Sequence, residues 1–339
     1  MKEQNKKNKK KILKSIFIKI CRLLGYEIID QANYDVPTLK KNLSTVLSLP
    51  GKKSISVPLG QYNITRKINS LNVIFRSCTS ELIMDQNKKR LFDMNKNEYT
   101  FRSLNSLLRA ILYAKDTFKN INFKITVTDT NSNKEDLEKI KKILSKYKID
   151  SNLIEINLLE YKDKIVGNYS QAKFANMVNF YLSLDLAKNE SMDLIYFVED
   201  DYIHTRDSLL EMLFTYEKIT SLLAKEIFLL PADYPYLYTK NNNTQILLGH
   251  QKHWRLVDES LVTFMTSKNI ILQNFDNLMQ MATNWIDPWE KPLHEIYKKV
   301  PCFSPIPSLS MHCANINSAY GLPPNVDWKE FWEENKNYD

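Results

Sequence analysis

Asp193-Leu194-Ile195-Tyr196-Phe197-Val198-Glu199-Asp200-Asp201-Tyr202 decides the fold. Five apolar or aromatic residues, Leu194 to Val198, run without a break and end in three acids. A short run rich in β-branched and aromatic side chains predicts a buried strand. Three adjacent carboxylates at its end cannot all be buried without partners, because repulsion and lost hydration would cost several kcal/mol. They call for a counter-charge. A divalent cation holding a polyphosphate supplies one, and parallel α/β sheets bind ligands beyond the carboxyl ends of their strands. The plainer alternative is a strand followed by an acidic helix start, since Asp207 opens a second helix-like run.

The 339 residues allow one large α/β domain or two small ones. The formal net charge of +8 is confined to the start of the chain: nine Lys and Arg residues and one acid, Glu3, occur through Tyr26, and 38 basic and 38 acidic residues follow. A neutral body offers no electrostatic footprint for nucleic acid, so none is expected as a partner. Cys21, Cys78, Cys302 and Cys313 are scattered, with no C-x-x-C pair. They predict reduced thiols in a cytosolic protein rather than a zinc or disulfide framework.

Lys2 to Lys11 form a basic tail that predicts disorder. Beyond it Ile12, Leu13, Ile16, Phe17, Ile20, Leu23 and Leu24 step by three or four, the spacing of one helix face. Lys14, Lys19 and Arg22 interrupt the run, which is too broken for a span of about 20 apolar residues. It also lacks the small-residue cleavage site of a signal peptide. Residues 9–24 are expected on an anionic membrane surface, each Lys or Arg near it contributing about 1 kcal/mol. Docking on the protein's own body is the alternative. The expected location is cytoplasmic, peripheral on the inner face of the cell membrane. Residues 31–70, broken by Pro37, Pro50-Gly51 and Pro58, read as a connector.

From Leu71 strands and helices alternate. Asn72–Phe75 predicts a strand ending at Arg76-Ser77-Cys78, and Arg102–Phe118 a helix carrying Leu104, Leu107, Leu108, Ile111 and Leu112. Phe123–Val127 predicts a strand ending at Thr128-Asp129-Thr130, and Lys134–Tyr147 a helix capped by Asn133. Leu153–Ile156 is a third strand and Ser170–Ala187 a third helix, before the strand quoted first. This order predicts a parallel, doubly wound sheet, with Arg76, Asp129 and Glu199-Asp200-Asp201 on one rim. Later strands are expected at Glu226–Leu230, Thr244–Leu248 and Ser260–Met265, with a short helix at Phe275–Ala282.

With Val198-Glu199-Asp200-Asp201-Tyr202 closing the nucleotide half, residues 71–320 resemble a GT-A nucleotide-sugar glycosyltransferase, broadly of the family 2 type. The Glu-Asp-Asp form of the DxD motif is similar to that of the Golgi N-acetylglucosaminyltransferase that starts hybrid and complex N-glycans. The resemblance implies a Rossmann-like, mostly parallel sheet flanked by helices. It implies metal-dependent transfer, with Mn²⁺ or Mg²⁺, of a sugar from a nucleoside diphosphate sugar, foremost a UDP-sugar. The acceptor would be a glycan or a lipid-linked glycan, in bacterial surface polysaccharide synthesis. The parse is an N-terminal segment over 1–30, a connector over 31–70 and a transferase domain over 71–339, its nucleotide-binding half ending at 205 and its acceptor half starting at 206.

Carried over by residue, the resemblance makes Asp201 the direct metal ligand and His312 the late histidine that completes the metal shell or meets the diphosphate. Glu199 and Asp200 would hold ribose or metal-bound water. Asp129 would meet base or ribose, and Arg76 would approach the nucleoside. Segments like Gly167–Lys173 contact the donor in such enzymes, bringing in Ser170 and Lys173; Ser170 also suits a plain helix cap. The second strand ends Thr-Asp-Thr rather than in a double acid, and His253-Trp254-Arg255 only echoes a Gln-x-x-Arg-Trp motif. His253 and Arg255 are candidates for a phosphate. Trp254, Trp285 and Trp289 are candidates for sugar stacking or for core. Inverting transfer needs a carboxylate base near the acceptor hydroxyl. Asp258 and Asp233 lead that list, which also holds Glu259 and Asp287.

Two other readings fit the same fold. A sugar-phosphate nucleotidyltransferase needs a glycine-rich first loop, and Arg76-Ser77-Cys78-Thr79-Ser80 has no glycine. A non-catalytic, membrane-surface protein that binds a sugar nucleotide is the other.

Overall fold

The computed structural model describes residues 13, 16–21, 23–26, 48–56, 60–80, 90–239, 241 and 243–338. The basic tail Lys2–Lys11, Ile12, Lys14 and Arg22 of the expected amphipathic stretch, and Pro37 and Pro58 of the expected connector lie outside the described residues. The chain divides into two compact units, residues 1–46 with 55–61 and residues 47–54 with 62–339. In the first, Leu13, Ile16–Cys21 and Leu23 are helical. Its Leu13, Ile16, Phe17, Ile20, Leu23 and Leu24 are exposed by 50% to 87%. No described helix is long and apolar enough to cross a membrane.

The second unit is built on β1 (Ser70–Ser77), α1 (Lys96–Thr117), β2 (Asn122–Asp129), α2 (Lys134–Ser145), β3 (Asp150–Glu155), α3 (Gln171–Asn189) and β4 (Leu194–Glu199). The apolar run Leu194–Val198 becomes β4 and is fully buried. β1 lies parallel to both β2 and β4, and β2 lies parallel to β3. Asn133 caps α2 by accepting from the Asp136 N–H at 2.8 Å, and Ser170 caps α3 through the Lys173 N–H at 3.3 Å. In α1, Leu104, Leu107, Leu108 and Ile111 are fully buried, whereas Leu112 is 39% exposed.

After β4 the chain makes β5 (Tyr202–His204), α4 (Ser208–Leu223), β6 (Phe228–Leu229), β7 (Ile246–Leu248), β8 (His253–Val257), β9 (Phe264–Ser267), α5 (Lys268–Gln273), α6 (Phe275–Thr283), α7 (Lys291–Tyr297), β10 (Cys302–Ile306), β11 (Ser310–His312) and α8 (Trp328–Glu334). The large sheet has the order β3-β2-β1-β4-β9-β6-β10-β8-β7, and β5 pairs with β11 in a separate ribbon. Only the first four strands form the expected parallel block. β9 is antiparallel to β4 and β6, β10 is parallel to β6, and β8 is antiparallel to both β10 and β7. The reason at the β7–β8 edge is the connection, residues 249–252. A link that short can only turn back, while parallel neighbours need a crossover of about a dozen residues.

Three expected strands are shorter or shifted: Phe228–Leu229, Ile246–Leu248 and Phe264–Ser267 replace Glu226–Leu230, Thr244–Leu248 and Ser260–Met265. Ser260 leaves the ladder because side chains take its polar groups. Its N–H donates to His294 Nε2 at 3.1 Å, and its hydroxyl meets Tyr297 at 2.7 Å.

Candidate functional site

β4 delivers the three acids to the carboxyl-end rim, and a two-residue turn sends the chain into β5. There Tyr202 stands opposite His312 of β11. The Cys313 N–H donates to the Asp201 carbonyl at 2.8 Å, and the His312 ring stacks on Tyr202 at 4.8 Å. This ribbon brings a histidine 111 residues away to within 3.2 Å of the Asp201 carboxylate.

The tautomer of His312 follows from its other nitrogen. Nδ1 lies 2.7 Å from the Tyr320 carbonyl, which can only accept, so Nδ1 carries the proton. A neutral His312 therefore offers its Nε2 lone pair toward Asp201. Burial lowers the His312 pKa, but the Asp201 charge and its hydrogen bond, with the Tyr320 carbonyl, outweigh burial and raise it overall.

The other two acids have partners of their own. Arg76 Nη2 lies 3.0 Å from Glu199. That guanidinium is only 5% exposed, faces the Phe180 and Trp289 rings at 5.2 and 5.9 Å, and donates to Asn176 at 3.3 Å. Asp200 accepts from the Cys78 N–H at 3.1 Å and from Thr100 at 2.9 Å, with Lys96 at 3.9 Å. The counter-charge assigned from sequence to a cation is thus supplied in large part by the chain itself. Lys96 and Thr100 were missed because the sequence reading starts α1 at Arg102, whereas the helix begins at Lys96.

Arg76, the three acids and His312 line one open cleft. Its α3 wall is made by Ala172, Ala175, Asn176 and Asn179, small enough to leave room beside the rim. Leu261, Trp289 and Glu290 also line it. Among the described residues, Glu290 is the one carboxylate lining the cleft apart from the cluster. The sequence reading passed over it; the only local signal is Pro292, which marks Glu290 as the residue just before a helix start.

Several residues singled out from sequence lie elsewhere. Asp129 is buried, and its carboxylate accepts from the Ser77 and Ser132 hydroxyls, each at 2.6 Å, and from the Ser132 N–H at 3.1 Å. Burial raises its pKa against those three bonds. It ties the β1 loop to the β2 loop and does not line the cleft. Ser170 acts as a cap, and Lys173 Nζ sits over Trp285 at 4.6 Å. Trp285 stacks on Trp289 with centroids 5.4 Å apart. Trp254 is core, its indole donating to Glu211 at 3.2 Å.

The two favoured bases form a second group away from the acids. Asp233 is 1% exposed, pairs with Arg255 Nη2 at 3.2 Å and accepts from the Tyr238 hydroxyl. Burial pushes its pKa up to about 6, with Tyr238 and Arg255 pulling the other way. Asp258 is exposed and lines a different cavity with Arg255, and His253 is exposed at the start of β8. None of the four lines the cleft. Arg255 pairs with Asp233 and donates to the Leu237 carbonyl, at 3.2 Å each.

No protein-family model matches the chain, and no curated protein matches it. Among solved structures it is similar to residues 1–349 of TarS from S. aureus, at 14% identity and a TM-score of 0.36 over 61% of this chain and 49% of that one. It is also similar to the glycosyltransferase GlyE of Streptococcus pneumoniae TIGR4, at 13% identity and a TM-score of 0.37 over 80% of this chain and 61% of that one. A third match is mouse xyloside xylosyltransferase 1, at 10% identity and a TM-score of 0.36 over 68% of this chain and 76% of that one. The chain spans about half the length of the TarS fragment. At these TM-scores the likeness assigns neither a residue nor a reaction.

Proposed function

We propose that this protein is a GT-A-type glycosyltransferase that moves a sugar from a nucleoside diphosphate sugar, foremost a UDP-sugar, to a glycan or lipid-linked acceptor. The observation that carries the reading is the meeting of Asp201 and His312 at 3.2 Å, at the carboxyl end of β4 and in a cleft also lined by Arg76 and Glu290.

That pair fits a divalent cation. Two cis ligands of an octahedral ion with bonds of about 2.1 Å lie about 3 Å apart. Among the described residues no group of three or more His, Cys, Asp and Glu is placed to hold a metal. Asp201 and His312 would therefore be its two protein ligands, with diphosphate and water filling the rest, as suits Mn²⁺ or Mg²⁺. When bound, the cation would stabilise charge on the departing diphosphate. The Tyr320 carbonyl fixes the His312 tautomer for that role.

The chain's own groups supply the remainder. The Arg76–Glu199 pair lines the cleft, its guanidinium set against the Phe180 and Trp289 rings. Asp200 fastens the Cys78 loop and the start of α1 to β4. Glu290, which lines the same cleft, would take the acceptor hydroxyl proton as that oxygen bonds the anomeric carbon and the carbon–diphosphate bond breaks. With Asp233 and Asp258 outside the cleft, Glu290 is the better base.

A second reading also has an observation behind it. Each acid of the cluster already has a partner within the chain, as in a fold that binds a sugar nucleotide without turning it over. UDP-sugar consumption with Mn²⁺ separates the two: turnover lost in EDTA and in Asp201→Asn supports the transferase, while binding without turnover across acceptors supports the scaffold.

The membrane partner belongs to the same proposal. The exposed apolar residues of the first helix sit in the stretch that holds the whole net charge. That combination suits an anionic bilayer and a place on the inner face of the cell membrane. Sedimentation with phosphatidylglycerol vesicles tests it, and equal binding by a chain lacking residues 1–24 refutes it.

A further inference from the structure

A second cavity, of about 200 Å³, lies among Tyr236, Arg255, Asp258 and Tyr297, with Asn243 and Thr244 also lining it. Its chemistry is narrow. Among the described residues of the lining, Arg255 carries the one positive charge, and Asp233 neutralises it at 3.2 Å. Asp258 adds an exposed carboxylate, so an anionic ligand is disfavoured. The Tyr236 hydroxyl is spent on the Glu259 carbonyl and the Tyr297 hydroxyl on Ser260, each at 2.7 Å. What these two tyrosines offer the cavity is ring. Asn243 and Thr244 are exposed and bring an amide and a hydroxyl oxygen. Aromatic ring beside carboxylate, amide and hydroxyl suits a neutral polyol with apolar C–H faces, which is the chemistry of a sugar.

The cavity is joined to the cleft of the acids by one short segment. Asp258 lines the first and Leu261 the second. Three residues of chain can separate them by at most about 11 Å. Glu259, between them, accepts from the Tyr320 hydroxyl at 3.3 Å, and the Tyr320 carbonyl is the one that orients His312. We infer that this cavity is a subsite for a sugar of the acceptor glycan remote from the reacting hydroxyl, an assignment that rests on the transferase reading. The enzyme would then prefer oligosaccharide over monosaccharide acceptors.

Leu256, which lines the cavity and is 37% exposed, gives a variant that fills it without touching the core: Leu256→Trp. The probes are methyl glycosides of glucose, galactose, N-acetylglucosamine, mannose and rhamnose, read by saturation-transfer NMR without donor. At least one glycoside is expected to give a signal in the parent that falls to background in Leu256→Trp and in Asp258→Ala. Thermal shift by UDP with Mn²⁺, measured on the same samples, is expected to be unchanged. No glycoside signal in the parent, or a signal that survives both substitutions, overturns the subsite. UDP binding without glycoside binding would sink the subsite alone. Glycoside binding lost in Leu256→Trp, with no UDP binding in any sample, would sink the donor reading and leave a sugar-binding cavity.

Discussion

Asp201 and Glu290 line the same cleft and are expected to fail in different ways when changed. Asp201→Asn keeps the size of the side chain but removes the charge that both raises the His312 pKa and suits a cation. It is expected to abolish metal-dependent turnover, with the chain still unfolding cooperatively in urea at a somewhat lower midpoint. Glu290→Gln is expected to lower kcat by about 10²–10⁴, the usual worth of a general base, with KM for donor unchanged. Retention of full kcat by Glu290→Gln would return the base to another residue. At this scale the sequence spoke clearly where chemistry is local. Glu199-Asp200-Asp201 stood out because three acids ended an apolar run, and all three line the cleft. Glu290 was silent because residues 284–290 follow no helical or strand period, so nothing in the sequence marks which side chain there turns inward. Asp129 misled for the opposite reason: its position on the rim is right, but Ser77 and Ser132 occupy its carboxylate.

Among the elements, β8 depends on one buried carboxylate. Glu211 of α4 accepts from the N–H groups of His250, Gln251 and Lys252 and from the Trp254 indole, at 2.9–3.2 Å. It holds the β7–β8 turn that strand pairing alone would leave with unsatisfied donors. Gly249 opens that turn because a Cβ there would lie 2.4 Å from both Thr215 and Trp254. Glu211→Gln is expected to cost about 2–4 kcal/mol, since charge-assisted bonds are lost and one amide donor is forced among donors. A urea titration reads it as a lower midpoint at unchanged slope. The parallel block was legible because β1, β2 and β4 are apolar runs separated by helices of regular period. The antiparallel half was not. β6 has two residues and β7 has three, too few to show a period, and their places come from pairings with distant strands. The β5–β11 ribbon that delivers His312 is equally short and equally mute in sequence.

For the whole molecule, charge and protons are distributed unevenly. The first 26 residues hold the net charge of +8, so vesicle binding is expected to weaken as salt rises and to vanish with their removal. The body contains buried groups whose titrations act in opposite senses. Burial pushes His204, bonded to the Tyr196 hydroxyl at 2.6 Å, down to about 3 from 6.5. A lowered folded pKa means the folded state binds fewer protons, so the stability present above pH 6.5 is lost as pH falls toward 3. Asp233 acts in the opposite sense: its pKa is raised from 3.8 to about 6, so its share of stability grows as pH falls through that window. His204→Asn is therefore expected to remove up to about 1.4 kcal/mol of destabilisation per pH unit between those limits, read as the difference from the parent in urea titrations. Equal pH slopes for parent and variant would show that His204 does not titrate on unfolding.

The transferase reading stands or falls on a nucleotide held at Asp201 and His312. The direct measurement is thermal unfolding with a panel of nucleoside diphosphates and UDP-sugars, with and without Mn²⁺, for the parent and Asp201→Asn. A ligand that binds only the folded state stabilises it in proportion to ln(1 + [L]/Kd). The expected result is a rise in midpoint with at least one nucleotide that needs Mn²⁺ and disappears in Asp201→Asn. No Mn²⁺-dependent shift with any of them, or a shift that survives Asp201→Asn, would contradict the account.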